Sequence, residues 1–115
     1  MTLMCLTKGN LHFKSGVSVA PVCDWRLYDT HYTERYMSNP KDNGQGYEEG
    51  NVLTHLSKLE VPLLLMHGMA DDNVLLTHST MIISELQRLN KKFELMLYPG
   101  SKHAIQAVSY THLTL

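Results

Sequence analysis

The sequence predicts an α/β fold, a partial and mostly parallel sheet with flanking helices, and three observations carry that expectation. Short apolar runs alternate with polar connections along the chain. One run, residues 61–67, is apolar at consecutive rather than alternate positions, as in a strand covered on both faces. A stretch of helical period then leads to a second β-rich run at residues 93–98. Strand, helix and strand in succession form a βαβ unit, whose strands run parallel and end on one edge, where ligands of open parallel sheets bind.

Taken in order, residues 16–22 are short and β-branched and read as a first strand stopped near Pro21. Residues 23–50 read as a long irregular stretch rich in Tyr, Asp, Asn and Gly, with turn formers at Asn39-Pro40 and at residues 42–46. Within it Tyr28, Tyr32 and Tyr36 recur every fourth position, predicting a short helix with a tyrosine face. Residues 51–58 form a short helix before the strand at 61–67, where Pro62 belongs at the start. Leu75, Ile82, Leu86 and Leu89 share one face of the next helix, with small Ser79 between them, and residues 90–92 end it. The last strand, residues 93–98, stops at Pro99-Gly100.

At 115 residues, with 43% hydrophobic and 18% charged content, the chain fits one small globular domain. A formal net charge of -1 leaves no electrostatic footprint for nucleic acid or an anionic membrane. The apolar runs fall far short of the ~20 residues of a membrane-spanning helix. Residues 1–6 lack the basic leader and cleavage site of a signal peptide. Cys5 and Cys23 form no CxxC and are expected as buried free thiols, with a disulfide between them left open. The histidines show no paired ligand spacing, so no metal is expected.

Chemistry gathers at the shared carboxyl edge. Asp71 and Asp72 lie just past one strand of the βαβ unit and His103 just past the other. Acid before histidine is the second half of the order Ser, Asp, His of α/β-hydrolases. In such a triad the histidine takes a proton from a nucleophilic hydroxyl through one ring nitrogen, while the acid on the other fixes its tautomer and stabilises the imidazolium. Alone, the two loops fit a helix-capping aspartate and a surface histidine equally well.

The residues around them say more. His-Gly-Met-Ala-Asp-Asp-Asn-Val at residues 67–74 resembles the acid loop of the prolyl oligopeptidase family of serine peptidases, in its dipeptidyl peptidase IV-like branch. Tyr-Pro-Gly-Ser-Lys-His-Ala-Ile at residues 98–105 resembles that family's histidine loop, and residues 20–37, with Ala-Pro-Val, the Trp and Tyr-Thr-Glu-Arg-Tyr-Met, resemble its pocket segment. The resemblance implies a C-terminal part of an α/β-hydrolase catalytic domain over residues 1–106, with Asp71 as triad acid, His103 as triad base and Asp72 structural. It implies that Asn73 and Val74 face the substrate, and that Val22, Trp25, Tyr28 and Tyr32 line a pocket for a proline ring, a flat apolar group that aromatic rings bury without freezing rotors. Read without the resemblance, the tyrosine stripe is a helix packing on its own core, Asn73 a turn residue and Trp25 a core residue.

The implied parent releases dipeptides from peptides with proline or alanine second; it is a homodimer, needs no cofactor, and is periplasmic or secreted. The family's nucleophile sits in a G-x-S-x-G elbow, and no such string occurs in this sequence. Residues 1–6 instead resemble the helix that follows the elbow, so the chain is expected to be a fragment that is inactive alone. Residues 107–115 depart from the family and are expected to be an artefactual tail. The alternatives are an acylaminoacyl-peptidase or esterase relative on the same fold, and a hydrolase-like binding module without catalysis.

Overall fold

The computed structural model describes residues 1–9 and 12–106; the tail expected at 107–115 lies outside them. Its helices are α1 (Thr2–Lys8), α2 (Thr30–Met37), α3 (Gly44–Glu49) and α4 (Leu76–Arg88), and its strands β1 (Gly16–Val19), β2 (Leu63–Gly68) and β3 (Glu94–Tyr98). The sheet has the order β1-β2-β3 with both pairs parallel, in register Val17 to Leu64 and Leu64 to Glu94. The central strand β2 is buried along nearly its whole length, as its unbroken apolar run requires.

Register sorts the side chains. On one face Leu63 and Leu65 join Leu3 and Leu6 of α1, Ile82 and Leu86 of α4, and Leu56 in the main core. On the other, Leu64 and Met66 meet Tyr98 and Ile105 in a smaller cluster to which no described helix contributes. Val17, Val19 and Met96 remain exposed. No described helix is long and apolar enough to cross a membrane.

Several boundaries differ from expectation for physical reasons. The first strand ends at Val19, because Ala20 turns to a positive φ of 46° ahead of Pro21. Residues 23–50 are not an irregular loop: they hold a 3-10 turn (Trp25–Leu27), α2 and α3. Asp and Asn side chains in this stretch cap its helices, Asn43 of the predicted turn formers among them. Asp24 accepts from the N–H of Arg26, Asp29 from that of His31, and Asn43 from that of Gly46. Tyr28 lies ahead of α2 rather than on it. Residues 51–58 form two 3-10 turns, Val52–Thr54 and Leu56–Lys58, instead of one helix. Leu75 caps α4 and is exposed; the buried face of that helix is His78, Ser79, Ile82 and Leu86.

Candidate active site

β2 ends at Gly68, and the chain then wraps Asp71 in a tight turn. Its Oδ1 accepts the backbone N–H groups of Asn73 and Val74, both at 2.9 Å. Its Oδ2 lies 2.9 Å from Nδ1 of His103, on the loop after β3. The two loops are stitched together by backbone bonds from Met69 N–H to Tyr98 C=O and from Ala70 N–H to Ser101 C=O, both 3.0 Å. Gly68 makes this approach possible: a Cβ there would lie 2.5 Å from the carbonyl oxygen of Lys102 and closer still to that of Ser101.

A carboxylate only accepts, so Nδ1 of His103 carries the proton and Nε2 the lone pair. No described residue bonds that Nε2, and the side chain is 47% exposed while that of Asp71 is fully enclosed. The arrangement leaves the acceptor nitrogen open and fixes the tautomer from behind, as a general base requires. Burial is the largest single influence on the Asp71 carboxyl and raises its pKa. The bonds from His103, Asn73 and Val74 together outweigh it and hold the group below the usual carboxylate range. Asp72 is exposed, paired with Lys102 only at 3.9 Å.

The pocket segment meets the acid loop directly. The Tyr28 hydroxyl donates to Oδ1 of Asn73. Trp25 packs edge-on against Tyr28 at 5.7 Å and stacks with Tyr32 at 6.2 Å, and Tyr28 meets Tyr32 edge-on at 5.5 Å. Trp25 and Tyr28 are half-buried and Tyr32 exposed, so the cluster is a wall on the surface rather than core. Tyr36 extends it, 5.1 Å from Tyr32. Val22 is half-buried between β1 and this wall. Val74 departs from expectation: it is 4% exposed and offers its side chain to the interior, because its N–H holds Asp71 and its C=O accepts from His67.

Three buried polar residues at this edge were given no polar partner by the sequence reading. His67 and Ser79 bond each other, and His78 accepts the backbone N–H of Cys23 at 3.2 Å through Nδ1. Their signal was a polar residue on a face otherwise apolar, which in a folded core demands a partner. Cys5 and Cys23 are both free. Burial, with Asp24 adding to it, pushes the Cys23 thiol up to about 11, so it is no nucleophile despite lying 3.4 Å from His78.

Burial, reinforced by His67 and opposed by Asp24, Asp71 and the Leu27 carbonyl, lowers the His78 pKa from its ordinary 6.5. The unfolded chain therefore binds the proton first: stability from neutral His78 is complete above that ordinary value and is lost as pH falls through the lower folded value. Lowering the pH from about 7 to about 5 should reduce the urea midpoint less in His78→Asn, whose amide oxygen still accepts the Cys23 N–H, than in the native chain. Equal slopes would show that another group carries the effect.

Among the described residues no group of three or more His, Cys, Asp or Glu side chains could hold a metal ion. A cavity of about 840 Å³ opens at the opposite edge of the sheet among Gly16, Val61, Pro62 and Phe93, roughly a strand length from His103. Its lining lies at the amino ends of the strands, away from the paired carboxylate and imidazole.

The sequence matches the prolyl oligopeptidase family over residues 1–114. Dipeptidyl aminopeptidase B of Saccharomyces cerevisiae is 45% identical over 111 residues, 92% of this chain and 13% of that protein. Dipeptidyl peptidase 8 of Homo sapiens is 39% identical over 109 residues, again 92% of this chain and 12% of that protein. Among solved structures, dipeptidyl peptidase 4 of Porphyromonas gingivalis superposes with a TM-score of 0.91 at 42% identity, covering 97% of this chain and 16% of that one. The chain thus spans little more than a tenth of the length of these curated relatives. Its three parallel strands and flanking helices are part of an α/β-hydrolase fold. With a match that runs almost from end to end, the chain belongs to the prolyl oligopeptidase family.

Proposed function

We propose that Asp71 and His103 are the acid and base of a serine-peptidase triad, in the part of a dipeptidyl peptidase catalytic domain that residues 1–106 form. The observation that carries this reading is the 2.9 Å contact between His103 Nδ1 and an enclosed Asp71 Oδ2, which leaves Nε2 to take a proton from a hydroxyl. The whole enzyme cleaves Xaa-Pro and Xaa-Ala dipeptides from peptide amino termini through an acyl-enzyme. Trp25, Tyr28 and Tyr32, with Val22 beside them, bury the proline ring, and Asn73, held by Tyr28, faces the bound peptide. Val74 serves through its backbone. By the same resemblance the whole enzyme is an exported homodimer.

A covalent mechanism needs the nucleophile, and this sequence has no G-x-S-x-G. The 115-residue chain alone should therefore release no chromophore from Gly-Pro or Ala-Pro amides above buffer. A protein translated in frame from further upstream in the same gene, and carrying an elbow, should hydrolyse them and lose that activity in His103→Ala. Turnover by the short chain that His103→Ala abolishes would overturn the expected inactivity of the fragment. A longer protein indifferent to that substitution would overturn the triad and favour a binding module.

A further inference from the structure

We propose that His67 is a positioning residue for the acid and histidine pair, a second imidazole that helps fix the Asp71 carboxylate. The proposal rests on the reading of Asp71 and His103 as acid and base and adds a residue to it. His67 is fully buried at the end of β2. Its Nε2 lies 2.7 Å from the Val74 carbonyl oxygen and 3.4 Å from Asp71 Oδ2, and its Nδ1 lies 2.6 Å from Ser79 Oγ on α4.

Those partners dictate the proton. A carbonyl only accepts, so Nε2 carries hydrogen, donating chiefly to Val74 and presenting the same N–H, at longer range, to Oδ2. On the neutral ring Nδ1 is then an acceptor, filled by the Ser79 hydroxyl. The ring cannot turn or change tautomer without breaking one of these bonds in a site closed to water.

The consequence reaches His103 through the loop. The Val74 N–H helps hold Oδ1, and the Val74 carbonyl is held by His67, so one residue transmits the position of the imidazole to the carboxylate. Oδ2 is then flanked by two imidazoles, His103 at 2.9 Å and His67 at 3.4 Å. With His67 gone, the Val74 carbonyl is buried without its donor, the turn relaxes, and Oδ2 no longer holds the Nδ1 proton of His103 in place.

The test is the proton inventory of the imidazoles in the ¹⁵N-labelled 115-residue chain. In the native chain His67 should appear with its proton on Nε2 and His103 with its proton on Nδ1. His67→Phe, which keeps a flat ring and removes the donor, should lose the His103 Nδ1 proton signal while the amide spectrum stays folded. His67→Gln should restore it, because its amide nitrogen reaches the place of Nε2. A folded His67→Phe chain with the native His103 signal overturns the proposal. So does a native His67 protonated on Nδ1, an observation that needs no variant and decides the matter if His67→Phe does not fold. A native His103 whose signals ignore Asp71→Asn removes the acid–base reading itself, and this proposal with it; a His103 that responds to Asp71→Asn but not to His67→Phe removes this proposal alone.

Discussion

Asp71→Asn is expected to lower kcat roughly 10⁴-fold in the enzyme that carries the nucleophile, the size of effect a wrong histidine tautomer produces in a serine triad. The geometry makes this substitution selective. The amide oxygen of asparagine can stay where Oδ1 is and go on accepting from the backbone of Asn73 and Val74, so the turn survives. The amide nitrogen then takes the place of Oδ2 and points hydrogens at His103 Nδ1. To accept them, the ring must move its own proton to Nε2, the nitrogen that should receive the proton of the hydroxyl. Stability near neutral pH should change by only about 1 kcal/mol, since the bond to His103 is exchanged and only the longer contact to His67 Nε2, at 3.4 Å, is given up. Below the usual carboxylate range the two proteins should converge. The depressed Asp71 pKa contributes stability above the unfolded value that is lost as pH falls through the folded one, and asparagine has no such dependence. Loss of kcat with a preserved urea midpoint is the expected pair of results. Retained kcat would mean that Asp71 does not set the tautomer.

How far the sequence reached depended on whether a periodic pattern fixed where a residue sits. Asp71 and His103 were legible because two apolar runs joined by a helical period force neighbouring parallel strands, and both residues follow a strand end. The strand at β2 was legible for the same reason, its unbroken apolar run leaving no face for water. The pocket segment was half legible. The spacing of Tyr28, Tyr32 and Tyr36 marked a helix with a tyrosine face, which Tyr28 precedes, and Asn43, in the run read as turn formers, is a helix cap. Asp and Asn serve turns and helix caps by the same bond to a nearby N–H, and only the following residues decide between them. His67, His78 and Ser79 were out of reach because nothing near them in sequence states what they bond. His78 meets Cys23 from 55 positions away, through packing of α4 against the strand ends. Val74 was misplaced for the same reason: its side chain turned inward when its two backbone groups were claimed by Asp71 and His67.

Gly68→Ala should separate Asp71 from His103 without touching either. The glycine is needed here for space, because the histidine loop passes directly over it. A methyl group would stand 2.5 Å from the Lys102 carbonyl oxygen and nearer to that of Ser101, both backbone atoms with no rotamer to yield. Relief requires the loop to lift by about 1 Å, against an ordinary C···O approach of about 3.3 Å. The Ala70 N–H bond to Ser101 C=O, 3.0 Å in the native chain, is the first to give way, and His103 lies two residues further along the same backbone. The expected cost is about 1–3 kcal/mol of stability from overpacking. A further loss of roughly 10²-fold in kcat should accompany it in the complete enzyme, the usual penalty for misplacing a catalytic group by this distance. Gly44→Ala is the control: nothing lies within 4 Å of a Cβ there, at the start of α3. It should be neutral or stabilise by up to about 1 kcal/mol through helix propensity, with the His103 Nδ1 proton signal unchanged. If Gly68→Ala matches that control in urea midpoint and in the His103 signal, the two loops are not held at contact distance and the rigidity assigned to the pair is wrong.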